Sequence, residues 1–527
     1  MKITFTLLFC LLFTSMQAQT NTWEWAITVP HMGQTSEMRG IAADKEGNSI
    51  VVGQMREPFS GFQQGVAIAK YDAKGVRQWT YNLPGAYFNG DKAMKATCDD
   101  DLNIYALITY TTKVLVVDGD SVDNSDMALL KLDKDGTLQF IKAAGSSAED
   151  KVYGMEVKGN ELWVRAIGNG GFDRDGISYT FPMWGRPYFM VYDLAGSVKA
   201  SSILGIGYTE PVHYLEQSGS DYFGYIGGVT VTKFKANTTN HTPAVEKTLD
   251  LKNMNGGGQL QVMDIKGTEN GRIYATGFFK SRYILLEGDT LHNLNNTYPT
   301  CFLIEMDQDL KVKNHILYYD EYGIQRQNEI QKLTVYKNEK IAVMNYFARN
   351  LHFPNDSLVA ANLEWCASVV ELNLDLSVRT MNQVNVKDKA GWDSRDFGYD
   401  GLGNLFCLFT HEEDMYFNQT LVKSANKSWA HLSALGKLGT GQSVSARKLT
   451  KEIGFKVYPN PSTGTLSIES ESGVAAVKIY DLSGKLLLTS GSATTMDIQS
   501  LKAGVYVLEL ENSLGQKTAT RIVKTDR

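Results

Sequence analysis

The chain has 527 residues with a formal net charge of −6 at pH 7, and 43% of its residues are hydrophobic. This length exceeds one ordinary core, so we expect two or more domains, and the apolar content excludes a disordered chain. A small net charge without any basic block excludes the cationic footprint that nucleic-acid binding requires. The 48 glycines, 26 tyrosines and 22 phenylalanines favour an all-β fold.

Residues 1–18 have the pattern of a signal peptide. Lys2 supplies the positive start, residues 3–13 form an apolar run too short for a stable membrane anchor, and Ala18 ends a plausible cleavage site. No later segment reaches the ~18 uninterrupted apolar residues of a membrane helix. We therefore expect an exported chain that does not span the membrane.

The cysteines beyond this leader are widely spaced. They form no C-x-x-C pair, which excludes a zinc ribbon or a thioredoxin-like motif. Free thiols in buried strands are the favoured interpretation, although an exported chain can form disulfides and the sequence does not choose among the possible pairings. The residues concerned are Cys98, Cys301, Cys366 and Cys407.

A repeat of two hairpins runs through residues 20–440. An apolar pair, a turn rich in Asp, Asn, Gly and Lys, and a β-rich run recur about every 60 residues, and a second hairpin follows most copies. The copies begin at Gly40, Lys95, Gly154, Tyr214, Val262, Lys332 and Ser394. Four strands in each of seven copies predict a seven-bladed β-propeller.

The two ends of the repeat region indicate how the ring closes. Residues 22–29 resemble the outer strand at residues 77–83, yet they precede any first inner strand, and the seventh copy lacks an outer strand. We predict that the N-terminal strand completes the last blade and removes an exposed edge. The segment near Ser443 is the competing candidate.

Several copies carry an insert between their two hairpins. Gly119–Ser121, Gly288–Thr290 and Asn355–Ser357 mark the inserts, and we interpret them as tight hairpin tips. The same triplets lead into Asp-Ser/Thr-apolar sequences that resemble O-glycan acceptor sites of the Bacteroidetes phylum. Both interpretations can hold together, since a glycan requires an exposed loop.

The pattern changes near the C-terminus. Residues 441–452 are small, polar and basic, which is typical of a linker. Residues 453–527 then contain about seven short strands with turn signals between them, which predict a small Ig-like β-sandwich.

This last segment resembles the type A C-terminal sorting domain of the type IX secretion system. The resemblance covers residues 453–527 only, and several separate blocks carry it in the expected order. Its motif residues are Tyr458, Pro459, Asn460, Pro461, Gly464, Asp481, Gly484, Lys485, Gly504, Tyr506 and Lys524.

The resemblance implies a two-step route in a Bacteroidetes cell. The signal peptide would bring the chain to the periplasm, and the sorting domain would dock on the outer-membrane secretion translocon. In this family the domain is usually then removed, and the cargo is released or attached to surface lipopolysaccharide. The expected location is secreted or at the cell surface.

Chemical motifs give little guidance in the repeat region. No H-E-x-x-H, G-x-S-x-G, P-loop or sialidase-type Asp box occurs, and the eight histidines are scattered. Asp99–Asp101 and Asp133–Gly136 fit strand-joining turns better than calcium loops, and Glu412–Asp414 fits a solvated loop better than an acid pair. We predict no catalytic residue, no metal site and no cofactor.

Two functional hypotheses follow. The first is a binding module for a glycan, a protein or a surface component, with aromatic rings in loops available for stacking. The alternative is a carbohydrate-active hydrolase or lyase with carboxylates at the central channel, and the absence of catalytic motifs makes an enzyme the less favoured hypothesis. The candidate stacking residues are Phe59, Phe62, Trp184 and Trp392, although packing in the core or at an edge is the favoured interpretation of these rings.

Overall fold

A computed structural model of the chain divides it into two compact units, Met1–Gly441 and Gln442–Arg527. The structure describes residues 23–29, 35–56, 64–83, 94–109, 114–117, 120–123, 127–144, 151–168, 171–175, 177–180, 186–203, 212–218, 221–226, 229–235, 244–253, 259–287, 289–295, 298–321, 332–359, 365–386, 393–411, 414–417, 420–422, 432–439, 455–470, 474–481, 486–491, 494–511 and 517–525. All of its regular elements are strands. No helix in these ranges is long and apolar enough to cross a membrane.

The first unit is built from strands joined by Asp- and Gly-rich turns, and several of its strands, such as Ile104–Thr109 and Ile273–Phe279, are buried along their whole length. Its first strands are β1 (Trp23–Thr28), β2 (Thr35–Ala43), β3 (Ser49–Arg56), β4 (Gln64–Tyr71), β5 (Arg77–Leu83), β6 (Lys95–Cys98), β7 (Ile104–Thr109), β8 (Val114–Val117), β9 (Asp120–Asp123), β10 (Met127–Leu132), β11 (Leu138–Ala143), β12 (Lys151–Lys158), β13 (Glu161–Gly168), β14 (Gly171–Arg174), β15 (Ile177–Thr180), β16 (Arg186–Asp193), β17 (Val198–Ile203), β18 (Val212–Ser218), β19 (Asp221–Ile226), β20 (Thr230–Lys235) and β21 (Ala244–Asp250).

The same succession of strands and turns continues through the rest of this unit. The strands are β22 (Lys252–Asn253), β23 (Leu260–Gly267), β24 (Ile273–Phe279), β25 (Tyr283–Leu286), β26 (Asp289–His292), β27 (Thr300–Met306), β28 (Val312–Asp320), β29 (Lys332–Tyr336), β30 (Lys340–Ala348), β31 (Asn350–Phe353), β32 (Asp356–Val359), β33 (Trp365–Asn373), β34 (Val378–Val386), β35 (Asp393–Tyr399), β36 (Leu405–His411), β37 (Met415–Phe417), β38 (Thr420–Val422) and β39 (Leu432–Leu438).

Among the described residues these strands form seven sheets of four or six strands. The sheet orders are β2-β3-β4-β5, β6-β7-β10-β11, β12-β13-β16-β17, β18-β19-β20-β21, β23-β24-β27-β28-β31-β32, β29-β30-β33-β34-β37-β38 and β35-β36-β39-β1. The first strand of each sheet contacts the first strand of the next, and β35 contacts β2. The sheets therefore close into a propeller-like ring.

The N-terminal strand completes the last sheet, as the sequence predicts. β1 pairs antiparallel with β39, with Ala26 opposite Gly436 and Thr28 opposite Ala434. The competing segment near Ser443 lies outside the described residues. Joining the two ends of the unit in one sheet removes the edge that β39 would otherwise expose.

The inserts do more than form hairpin tips. The hairpins β8–β9, β25–β26 and β31–β32 are the predicted ones, and the structure adds that β31–β32 pairs with β28 of the preceding sheet. In the same way β37 pairs with β34, and β25 pairs with β22, which follows the outer strand β21. An insert from one repeat thus fastens onto the outer edge of the repeat before it.

The second unit has two small sheets. Its strands are β40 (Phe455–Tyr458), β41 (Thr465–Ser470), β42 (Ala476–Tyr480), β43 (Leu486–Ser490), β44 (Thr495–Asp497), β45 (Gly504–Glu511) and β46 (Lys517–Lys524). The sheet orders are β40-β41-β44 and β43-β42-β45-β46. Both sheets contribute to one buried aliphatic cluster that includes Leu466, Ile479 and Leu508, so they share a single core.

Candidate functional sites: the C-terminal motif and the inner edge of the ring

Asn460 covers part of the exposed edge of the last strand. Its side-chain Nδ2 donates to the Arg521 carbonyl at 2.9 Å, and its Oδ1 accepts from the Val523 N–H at 2.8 Å. The next turn continues this pattern, because the Ser462 N–H donates to the Val523 carbonyl at 2.9 Å. One amide side chain therefore replaces a ladder of backbone hydrogen bonds on β46.

The residues on either side of Asn460 follow an unusual backbone path. The Tyr458–Pro459 and Asn460–Pro461 peptide bonds are both cis. The Tyr458 ring is 44% exposed, and its hydroxyl donates to Glu469 of β41, a bond that raises the pKa of Tyr458. Pro459 and Pro461 are exposed, so they shape the turn rather than fill the core.

Three further motif residues lie in β45 and β46. Gly504 pairs with Lys524, Lys524 forms a bridge with Ser462, and the Tyr506 hydroxyl donates to the Lys502 carbonyl at 2.8 Å. The Gly464 carbonyl accepts the Ile498 N–H at 2.7 Å.

The DLSGK block is described only in part. Asp481 follows β42, while Gly484 and Lys485 lie outside the described residues. The sequence interpretation missed Ser462, although it directly follows the Pro-Asn-Pro run. Its hydroxyl donates to the Thr465 carbonyl at 3.0 Å, and its side-chain oxygen accepts the Gly464 N–H at 3.3 Å, which holds the turn between β40 and β41.

In the ring, an ion pair joins two sheets that are not consecutive. The Lys95 ammonium of β6 lies 2.7 Å from Asp396 Oδ2 of β35. The strand β2 lies between these two strands, so the ion pair reaches across it. The same carboxylate oxygen accepts the Ile41 N–H at 3.4 Å. A side chain at Gly40 would place its Cβ 2.3 Å from the Met94 carbonyl oxygen, so only glycine permits β2 to approach its neighbour this closely.

Asp264 of β23 has the role that corresponds to Asp396, two repeats earlier in the chain. Its Oδ2 accepts the Leu333 N–H of the next sheet at 2.9 Å, and its Oδ1 accepts the Ile265 N–H at 2.8 Å. Asp264 and Asp396 each follow an irregularity in the pairing of their strand. Such a bulge redirects the side chain, which lets the carboxylate reach the unpaired backbone of the neighbouring sheet.

Glu156 of β12 is held by two cations. Arg165 lies 2.8 Å and Lys158 lies 3.1 Å from its Oε1. Burial opposes ionisation of this carboxyl, but Arg165 and Lys158 outweigh it and lower the pKa of Glu156. Asp264 and Asp396 thus join different sheets of the ring, while the charge of Glu156 is neutralised within its own sheet.

The acidic turns show how the repeat closes its hairpins. Asp99 Oδ1 accepts the N–H groups of Asp101 at 3.0 Å and Asn103 at 2.8 Å. Asp133 Oδ1 accepts the N–H groups of Asp135 at 3.0 Å and Thr137 at 2.9 Å. Both are strand-joining turns, as the sequence predicts, and no group of metal-ligating side chains occurs among the described residues.

The structure describes some of the remaining candidates from the sequence and not others. All four described cysteines lie in strands, and Cys366 and Cys407 are buried. Asp414 is half-buried beside β37. Outside the described residues lie the candidate stacking residues Phe59, Phe62, Trp184 and Trp392, the residues Glu412 and Glu413, and the expected signal peptide.

The C-terminal unit matches a known family. Residues 456–525 match the model of the secretion system C-terminal sorting domain. A stretch of 70 residues is 35% identical to beta-agarase D of Zobellia galactanivorans, which is 13% of this chain and 14% of that enzyme. The tail is therefore a type IX secretion sorting domain, and the protein is exported to the cell surface or the medium.

Solved structures similar to the chain have low sequence identity. YCF48 bound to D1 peptide is 10% identical with a TM-score of 0.37, covering 79% of this chain and 96% of that one. The periplasmic gluconolactonase PpgL of Pseudomonas aeruginosa is 12% identical with a TM-score of 0.37, covering 64% and 83%. Similarity at this level carries no argument about function, so the propeller-like description depends on the ring of sheets.

Proposed function

We propose that this exported protein is a seven-bladed β-propeller, residues 20–440, that binds a glycan, a protein or a surface component outside the cell. The linker at residues 441–452 would join it to an Ig-like sorting sandwich at residues 453–527. The seven sheets of the described residues, their circular contacts and the closing strand β1 support the blade count. The shared core of the two tail sheets supports the sandwich.

Acidic side chains on the first strands of the sheets favour binding over catalysis, because each of them already has a partner in the scaffold. Glycoside hydrolysis needs one carboxyl that keeps a proton and one that is free to act as base or nucleophile. Asp396 is paired with Lys95, Glu156 is paired with two cations, and Asp264 accepts backbone N–H groups. These groups stabilise the scaffold, so binding through loops is the favoured function.

A binding screen tests this proposal. The fragment 20–440 is applied to glycan and protein arrays, with the same fragment carrying Lys95→Ala as a check that an altered scaffold does not create adhesion. Saturable binding to one ligand class is expected. If soluble polysaccharides instead lose length or gain reducing or unsaturated ends, the alternative of a carbohydrate-active hydrolase or lyase replaces binding.

Export is tested separately. We propose that a signal peptide at residues 1–18 and the tail act in sequence in a Bacteroidetes cell, with docking on the outer-membrane translocon and attachment of the cargo to lipopolysaccharide. Deleting residues 453–527 is expected to retain the protein in the periplasm, while the tail fused to a reporter exports that reporter. Surface display of the truncated chain would contradict the proposal.

A further inference from the structure

A hydroxyl, an imidazole and a carboxylate are aligned where the hairpin β31–β32 fastens onto β28. The His352 Nδ1 lies 3.0 Å from the Ser357 hydroxyl, and its Nε2 lies 2.9 Å from Glu321 Oε1. The pairing register explains the contacts, because His352 is directly opposite Ser357 on one side and Tyr319 on the other.

The ionisation of Glu321 determines which imidazole nitrogen of His352 carries the hydrogen. The Asn350 side chain donates to Glu321 Oε2 at 2.8 Å, and this bond followed by the His352 contact lowers the pKa of Glu321. An ionised carboxylate only accepts hydrogen bonds, so Nε2 carries the hydrogen. In the neutral imidazole Nδ1 is then the acceptor, and the Ser357 hydroxyl donates to it.

The imidazole is also held in position. The Tyr319 ring stacks on it with centroids 4.8 Å apart and an interplanar angle of 23°. Arg349 acts on Glu321 through its charge, and Asp356 lies beside the serine. Ser357 is exposed, so a reagent in solution reaches its hydroxyl. A nucleophile in hydrogen-bond reach of a base that a third group orients is the arrangement used for nucleophilic catalysis.

We propose that Ser357 is an activated nucleophile that accepts acyl groups from activated esters, with His352 as its general base and Glu321 as the positioning residue. Ser357 Oγ forms a bond to the acyl carbon, the hydroxyl proton passes to His352 Nδ1, and the bond to the leaving alkoxide or aryloxide breaks. The departing oxygen then takes up the proton.

The surroundings of Ser357 restrict the substrate class. Its own N–H donates to Asp356 Oδ1 at 3.0 Å, so this amide is not free to stabilise an oxyanion. Attack then succeeds where the leaving group departs easily, as in aryl esters and thioesters, and amides are not substrates.

A sister hairpin provides a matched control. In β25–β26 the residue at the tip position of Ser357 is Thr290, and its cross-strand partner is Leu285 rather than a histidine. Thr290 is exposed like Ser357. The variant Thr290→Ser therefore presents the same hydroxyl on the same kind of hairpin without the base.

The test treats the mature full-length chain carrying Thr290→Ser with p-nitrophenyl acetate and locates acetyl groups by peptide mass spectrometry. Ser357 is expected to be acetylated roughly 100-fold faster than the serine at position 290, the lower end of what a positioned general base supplies. His352→Gln is expected to reduce acetylation at Ser357 to the control rate, and Ser357→Ala to abolish it there.

Variants of Glu321 separate positioning from a purely structural role. Glu321→Gln, which cannot act as the anionic acceptor for Nε2, is expected to slow acetylation of Ser357, while the conservative Glu321→Asp should restore it. The rate at position 290 should be the same in both variants. Equal acetylation at positions 357 and 290, or an unchanged rate in His352→Gln with the fold intact by circular dichroism, would overturn the proposal.

Discussion

The ring and the tail are held together in different ways. In the ring, an outer-strand side chain donates to a turn carbonyl of the next sheet at several positions. The pairs are Trp25 to Ala73 at 2.9 Å, Trp79 to Lys134 at 3.0 Å, Lys142 to Ala195 at 3.0 Å and Asn314 to Asp375 at 2.7 Å. The tail instead has one aliphatic core and one side chain, Asn460, on its edge.

This difference explains why the two regions carry different information. A contact that recurs around the ring can be made by different side chains. The sequence therefore shows a regular spacing of similar segments and no fixed motif. A contact made once, with an amide facing one carbonyl and one N–H, admits few alternatives and leaves a motif. The motif in the tail indicates how the protein is exported, while the repeat spacing in the ring indicates only its fold.

The largest expected effect is in the ring, at a buried ion pair. Lys340 Nζ lies 2.6 Å from Glu371 Oε1, with both side chains almost fully buried. Glu371→Gln leaves the ammonium buried without its counter-charge and is expected to destabilise the ring by about 3–5 kcal/mol. Urea unfolding of the chain measures the loss.

Two variants check the cause of that loss. The double variant Lys340→Met/Glu371→Leu is expected to recover part of the stability, because it removes both charges but also a hydrogen-bond partner of the Tyr399 hydroxyl. Lys313→Gln breaks an exposed pair with Asp307 and should leave the unfolding curve unchanged. A tail transition that moved with Glu371→Gln would show that the two units do not unfold separately.

The second-largest expected effect concerns the closing strand β1, compared with the ordinary outer strand β5. Trp25 packs on Gly75 and Trp79 packs on Gly136 in the same way. Removing either half-buried ring by substitution to alanine is expected to destabilise the ring by about 2–3 kcal/mol. Only Trp25→Ala should also speed hydrogen exchange along β39, because a terminal strand can detach alone. Faster exchange at β39 in Trp79→Ala would contradict this.

A smaller effect is expected in the tail. Asn460→Ala removes two hydrogen bonds from the exposed edge of β46, which should reduce the stability of the tail by about 1–2 kcal/mol. Hydrogen exchange of residues 517–525 reports it. Asn460→Asp retains the acceptor for the Val523 N–H and should lie between the two, whereas an effect confined to the ring would refute the assignment.

The smallest effect is the acid sensitivity of the ring's turns. The Thr137 N–H lowers the pKa of Asp133, and the Ser197 N–H lowers the pKa of Asp193. A depressed folded-state pKa contributes stability above about pH 4, the unfolded value, and loses it as the pH falls through the folded value. Melting temperatures between about pH 5 and 2 are expected to fall less in Asp133→Asn/Asp193→Asn, and an equal fall would contradict this.

The strand pattern and its closure could be read from the sequence because their causes are local. Alternating apolar residues around Asp-Gly turns predict each hairpin, and the likeness of residues 22–29 to residues 77–83 predicted the closing strand. Trp25 and Trp79 then prove to make the same contact. The placement of the inserts could not be read in this way, since nothing in residues 350–359 indicates pairing with the sheet before them.

By itself the sequence determined the all-β class, the repeat and the sorting tail, because alternation, turn chemistry and a compact motif are properties of neighbouring residues. Only the tertiary structure brought Lys95 to Asp396, 301 positions away, and aligned Glu321, His352 and Ser357 across two repeats. Such contacts depend on the register of paired strands and on the angle between sheets, and both arise only once the ring has closed.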